Sequence, residues 1–156
     1  MKGRLFLILP LLFLAGCRPG FMAGLDFARS QPKAEDIVGV WTPDKATLRD
    51  IRERGHYASV ETKIILRKDG AFSISNIPDW WSDGFGYPHG KFESSEGKWE
   101  FRAGKSLWKI WELCLITPKG NRQMMILHQK APYSIFIYVG DPDNDDAMIF
   151  ERTSSE

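Results

Sequence analysis

Short stretches in which apolar and polar residues alternate recur along much of the chain. Residues 62–67 and 71–75 show this alternation most clearly, and Asp69-Gly70 between them is a turn signal of the kind found in hairpins. The pattern predicts a β-hairpin from about residue 62 to residue 77. The side chains expected on its inner face are Ile64, Leu66, Phe72 and Ile74.

Further stretches have the composition and length of β-strands. They are residues 37–41, 97–102, 107–117, 123–129, 133–139 and 147–152. Trp99 and Phe101 alternate with charged residues, so both are expected to point inward. Residues 107–117 are apolar on both faces, which predicts a strand whose outer face is covered by a helix or by the N-terminal segment.

One helix is predicted ahead of the hairpin. Thr42-Pro43 suits an N-cap followed by proline at the first helical position, and the helix is expected to end near Gly55. Leu48 and Ile51 lie three residues apart and give this helix a narrow apolar stripe.

Eight short strands, one early helix and short links without internal repeats indicate a mainly β fold. A meander of this length protects its two edge strands best when they pair with each other. We therefore predict an eight-stranded antiparallel up-and-down barrel with one short N-terminal helix, formed by residues 37–156 as a single domain.

The chain begins with the basic segment Met1-Lys2-Gly3-Arg4 and an apolar run, residues 5–14, that is too short to span a bilayer. Leu14-Ala15-Gly16-Cys17 then resembles the bacterial lipobox. The resemblance implies a diacylglyceryl group on Cys17, cleavage just before it, and acylation of the new amino end, for example with palmitate. Residues 1–16 are thus predicted to be a signal peptide and residues 17–36 a lipidated tether. An ordinary secretory cleavage site is the alternative.

Arg18 follows the predicted acylated cysteine, whereas an aspartate at that place tends to retain Gram-negative lipoproteins on the inner membrane. The resemblance therefore implies the bacterial cell envelope, on the outer membrane facing the periplasm in a Gram-negative host; a Gram-positive host stays open. The membrane is the first predicted partner, because two or more acyl chains anchor stably. Without Lys2 and Arg4, the 21 basic residues fall to 19 against 20 acidic ones, and this near-neutral balance excludes electrostatic attraction to nucleic acid.

Gly39-Val40-Trp41, at the head of the predicted barrel, is similar to the Gly-x-Trp signature on the first strand of lipocalins. The resemblance implies an eight-stranded barrel and a role for Arg152, on the last strand, as the arginine that packs over this tryptophan. The Thr-Asp-Tyr motif of a later lipocalin loop is absent, and no helix is predicted after the last strand. These departures favour a lipocalin-like or calycin-like barrel over a true lipocalin, and they leave a ligand cavity open.

The sequence offers little for metal binding. The three histidines are His56, His89 and His128. They are too far apart along the chain for a metal-binding motif. Asp141, Asp143 and Asp145 alternate like the start of an EF-hand loop, but Asp146 and Arg152 replace the glycine and glutamate that such a loop requires. We interpret this run as a solvated turn and predict no metal site.

Nucleophilic catalysis is also unsupported. If Cys17 is acylated, Cys114 has no partner in the chain, and its apolar surroundings predict a buried, inert thiol rather than a nucleophile. The sequence contains no Gly-x-Ser-x-Gly, P-loop or dinucleotide-binding motif. We therefore predict a protein that is not an enzyme and has no cofactor.

The segment between residues 77 and 92 has neither a strand nor a helix period, yet it is dense in aromatic residues. Its candidate ligand- or partner-binding residues are Trp80, Trp81, Phe85, Tyr87 and His89. Flat aromatic side chains among glycines provide contact area at low entropy cost. The alternative is a lid that packs over the barrel and closes its core, with Asp79 and Asp83 as ordinary turn residues.

Two functions remain open at this stage. A membrane-anchored barrel that binds a hydrophobic ligand requires a continuous cavity. A protein-interaction or inhibitor module requires a filled barrel and an exposed aromatic surface. The 6 tryptophans and 10 phenylalanines favour a filled interior, because large side chains leave little space in a small barrel.

Overall fold

The protein is described by a computed structural model that covers residues 24–55, 61–105, 109–141 and 146–154. Several sequence predictions concern residues outside this range. They are the signal peptide, the lipobox with Cys17, and the expected roles of His56, Asp143 and Asp145.

The described chain forms one closed antiparallel barrel. Its strands are β1 (Gly39–Pro43), β2 (Lys63–Leu66), β3 (Ala71–Pro78), β4 (Phe92–Ala103), β5 (Trp111–Thr117), β6 (Gly120–Leu127), β7 (Ser134–Tyr138) and β8 (Ala147–Ser154). Each strand pairs with the next, and β8 pairs with β1. Two helices accompany them, α1 (Ala34–Ile37) and α2 (Lys45–Gly55). The predicted eight-stranded up-and-down barrel is confirmed.

The β2–β3 hairpin forms with the predicted inner face. Ile64 lies opposite Ile74, and Leu66 lies opposite Phe72. All four side chains are buried. The alternation of the sequence decides this outcome, because successive side chains of a strand point to opposite faces and the apolar face is driven out of water.

The barrel interior is occupied by one contiguous cluster of the protein's own apolar side chains. Its largest fully buried members are Trp41, Phe72, Trp80 and Phe150. Trp99 and Phe101 are partly buried and pack against the same cluster, as their alternation predicts. Burying each large aromatic side chain stabilises the fold by about 1.5–3 kcal/mol, so this interior is the main source of stability.

The predicted start of the main helix is wrong. Thr42 and Pro43 continue β1, and Pro43 lies opposite Phe150 of β8. The helix begins only at Lys45, where the Asp44 carboxylate accepts the backbone N–H of Thr47 at 2.7 Å. Pairing with β8 satisfies the end of β1, and Asp44 is a better N-cap than threonine would be because it also brings negative charge to the helix start.

Because neighbouring strands run in opposite directions, the links between strands alternate between the two ends of the barrel. At the lid end lie α2, the β3–β4 link, the β5–β6 turn and the β7–β8 link; at the entry end lie the other links and residues 24–38. Ile51 of α2 packs into the interior cluster from the lid end. Both ends of the core are thus covered by chain segments outside the strands.

Residues 24–36, the described part of the predicted tether, lie against the entry end. The backbone N–H of Ala28 donates to Ile126 at 2.8 Å, and the backbone N–H of Trp111 donates to Ala28 at 2.7 Å. Phe27 packs edge-on against Phe136 in a second, outer cluster. This cluster covers Ile110 at the start of the predicted strand 107–117, whose observed strand begins at Trp111.

Candidate functional site

The candidate site is the β3–β4 link, residues 79–91, which we call the lid loop. It opens with a short 3-10 turn, Asp79–Trp81. The buried Asp79 carboxylate accepts the backbone N–H groups of His89 and Lys91, each at 3.2 Å. One side chain at the start of the loop therefore holds the end of the loop and closes it on itself.

Trp80 is part of the core. It is 2% exposed, and its indole N–H points at the sulfur of Met148 at 3.1 Å. The Arg54 guanidinium lies 6.0 Å from the Trp80 ring centroid and also binds the Asp146 carboxylate through two hydrogen bonds of 2.7 and 2.8 Å. Trp80 thus closes the interior beneath α2 and β8.

Trp81 is half-buried and faces a different neighbourhood. Its indole N–H donates to Glu93 at 2.9 Å, and the Arg122 guanidinium lies 5.6 Å from its ring centroid. Ser82 donates to the other Glu93 oxygen at 2.8 Å. A cleft of about 360 Å³ lies alongside, between Trp81 and the β5–β6 turn. Both carboxylate oxygens of Glu93 therefore accept hydrogen bonds from the lid loop.

Phe85 and Tyr87 form an exposed stacked pair. Phe85 is 76% exposed and Tyr87 is 63% exposed, and they are the large hydrophobic residues that the described chain leaves exposed. Their ring centroids are 6.1 Å apart with an interplanar angle of 30°. Apolar surface of this size at a loop tip has no folding rationale, because nothing in the described chain is stabilised by leaving it in water.

Asp83 sets the backbone geometry of the pair. Its Oδ1 accepts the backbone N–H of Phe85 at 2.8 Å and that of Tyr87 at 3.3 Å, while its Oδ2 lies 3.3 Å from His89 Nε2. The hydrogen bond from Phe85, followed by the contact with His89, lowers the pKa of the Asp83 carboxyl. The carboxylate form of Asp83 therefore orders the turn that carries both aromatic rings.

The lid loop also makes a close backbone contact with the β7–β8 link. A β-carbon on Gly140 would lie 2.7 Å from both the carbonyl carbon and the carbonyl oxygen of Phe85, and Gly140 has a φ of +72°. Gly86 has a φ of +71° and approaches Gly140 from the other side. Only glycines allow this approach without strain. The aromatic pair is therefore seated on the barrel and does not hang from a free loop.

The five predicted residues all lie in or beside this loop, but they occupy three environments. Trp80 is in the core, Trp81 is half-buried, and only Phe85, Tyr87 and His89 present exposed side chains. Sequence reasoning interpreted Asp79 and Asp83 as ordinary turn residues, although they organise the loop. For Asp83, the available signal is its position two residues before Phe85, as in an Asx turn. Asp79 binds backbone N–H groups 10 and 12 residues later in the chain, and no local spacing predicts that. The contact with Gly140 has no sequence signal.

Elsewhere, Cys114 is a free and buried thiol, as predicted, and burial raises its pKa. Within the described ranges, no cluster of three or more His, Cys, Asp or Glu residues is arranged to hold a metal ion. The same ranges contain no helix that is both long and apolar enough to cross a membrane.

The residues behind the lipocalin resemblance meet at the entry end. The Trp41 indole N–H donates to the Ile37 carbonyl at 2.8 Å. Arg152 lies opposite Trp41 in the β1–β8 pairing and donates to the Asp36 carbonyl at 3.2 Å. Comparison of the chain with models of protein families, with curated proteins and with solved structures finds no significant match.

Proposed function

We propose that this protein is a bacterial lipoprotein of the cell envelope, anchored through acyl chains on Cys17, and that it is a non-enzymatic protein-interaction module. The observation that carries the interaction is the exposed Phe85–Tyr87 pair. The lipobox-like residues 14–17 support the anchor. In a Gram-negative host we propose the outer membrane, on its periplasmic side.

The filled interior favours a protein partner over a hydrophobic ligand inside the barrel. Phe72 and Phe150 fill the barrel interior and Trp80 closes its lid end, so little space is left for a ligand. A ligand of drug size would have to displace several of these side chains, each stabilised by burial. Native mass spectrometry of the purified protein checks this point, and a co-purifying hydrophobic molecule would favour the ligand-binding function instead.

The aromatic pair has the properties of an interaction anchor. Aromatic rings bury a large apolar area with few rotatable bonds, so little entropy is lost when a partner covers them. Here Asp83 and the contact between Gly86 and Gly140 already order the backbone beneath both rings. A preorganised surface of this kind loses less conformational entropy on binding than a free loop would.

The test is affinity purification of the acylated protein from native membranes after photo-crosslinking, with quantitative mass spectrometry. Replacing Phe85 and Tyr87 together by alanine should reduce recovery of the specific partner by about tenfold or more, because anchor residues contribute 2 kcal/mol or more each. Lys45→Ala, an exposed change in α2 at the same barrel end but outside the lid loop and its cleft, is the matched control. Equal recovery by both variants and by the unchanged protein would exclude the aromatic pair as the interaction site.

A further inference from the structure

The predicted anchor and the aromatic pair belong to opposite ends of the barrel. Gly24 is the first described residue, and the chain runs from it into the entry end, where Phe27 bridges Leu127 at the close of β6. Phe85 and Tyr87 lie at the lid end, beside Gly140. Because β3 runs from one end to the other, its length sets the separation between them.

That separation is comparable with the reach of the link to Cys17. β3 has 8 residues, which at a rise of about 3.3 Å and a tilt of about 35–45° places the two ends about 16–19 Å apart, before the lid loop is added. Seven Cα steps join Cys17 to Gly24, and they span at most about 25 Å. With the lid loop added to this separation, the lid end could face the anchoring bilayer only if the link ran nearly straight along the barrel wall. A barrel on its side would bring both ends to the bilayer whatever the extension of the link.

We infer that the acylated protein stands with its entry end toward the bilayer and presents Phe85 and Tyr87 to the aqueous side, where the partner is a protein and not the anchoring membrane. This inference rests on the proposed anchor and interaction function. It chooses a protein over the membrane surface as the partner of the aromatic pair. The choice is needed because tryptophan and tyrosine side chains also occur at membrane interfaces.

Two carboxylates lie close to the aromatic pair. The carboxylate of Asp83 lies directly under the pair, and Asp141 follows the Gly140 contact. A protein surface with an apolar cleft and a basic rim would complement them.

The experiment measures the orientation on phosphatidylethanolamine–phosphatidylglycerol vesicles that carry a headgroup nitroxide quencher. Lys119 and Lys130 are exposed lysines in turns at the lid end and the entry end, so Lys119→Cys and Lys130→Cys, each labelled with a thiol-reactive fluorophore, form a matched pair. Gly84→Cys reports next to the aromatic pair, because a side chain there meets open space. The buried thiol of Cys114 should escape labelling.

In the acylated protein, quenching at residue 130 should exceed quenching at residues 119 and 84 by threefold or more. Quenching at residue 84 that equals or exceeds quenching at residue 130 would overturn the inferred orientation while leaving the anchor intact. The Cys17→Ser variant separates the two hypotheses, since it should show no quenching at any position. Quenching that persisted in that variant would contradict the proposed acyl anchor itself.

Discussion

At the scale of single residues, Gly140 shows how tightly the lid loop is seated. Replacing it by alanine would force a β-carbon against the Phe85 carbonyl and place alanine at a φ of +72°. We expect Gly140→Ala to lower the free energy of unfolding by about 1–3 kcal/mol, because backbone on both sides resists movement. Gly84→Ala in the lid loop, where a β-carbon meets open space, should change it by less than about 0.5 kcal/mol in urea denaturation. Similar losses in both variants would contradict the seating.

Asp83 carries a pH dependence with a defined sign. Its pKa is lower in the folded protein than in an unfolded chain, so its contribution is present above the ordinary aspartate pKa near 4 and is lost as pH falls through the lower folded pKa. The backbone N–H signals of Phe85 and Tyr87 in NMR should shift together over this acidic range. In Asp83→Asn, which keeps the acceptor oxygen, these shifts should disappear. Signals that titrated unchanged in this variant would show that another group is responsible.

At the scale of secondary structure elements, Trp80 and Trp81 are adjacent in sequence but belong to different surroundings. Trp80 is enclosed by α2, β8 and the interior cluster, whereas Trp81 is only half-buried beside Arg122. Trp80→Ala should therefore cost about 3–5 kcal/mol, as expected for a fully buried tryptophan, and Trp81→Ala about 1–2 kcal/mol. Chemical denaturation of both variants makes the comparison. A greater cost for Trp81 would mean that Trp81, not Trp80, closes the barrel.

Secondary structure elements were predicted correctly where interactions between neighbouring residues in the sequence determine the structure. The β2–β3 hairpin was predictable because its alternation and its Asp69-Gly70 turn act over a few residues. The start of α2 was not, because Thr42-Pro43 is a good helix start in isolation but pairs with β8, more than 100 residues away in sequence. A long-range strand pairing overrode a local preference.

At the scale of the whole molecule, Cys114 reports on the integrity of the barrel. Its thiol is free and buried on the outward face of β5, between the inward Leu113 and Leu115, and burial raises its pKa, so it should react slowly with a thiol reagent in the folded protein. In a Cys17→Ser variant, where Cys114 is the single thiol, the labelling rate should therefore rise as urea unfolds the barrel. Adding Lys119→Cys supplies an exposed thiol that reacts at once. Rapid labelling of Cys114 in the native protein would contradict its burial.

The candidate site was predictable in part. Aromatic density without a strand or helix period singled out residues 77–92, and in the structure this segment forms the lid loop. Which of these residues are buried and which are exposed was not predictable. Trp80 and Phe85 are both large and apolar, and only the position of α2 and the Gly140 contact decides which one is covered.

The sequence by itself determined the number of strands, their inward faces and the antiparallel meander, because alternation, turn chemistry and the hydrophobic effect act on neighbouring residues. Only the tertiary structure decided that β1 takes Thr42 and Pro43, that Trp80 seals the lid end, and that Phe85 and Tyr87 stay in water at the end opposite Gly24. These outcomes depend on closure of β1 on β8, which brings together residues that no local pattern connects.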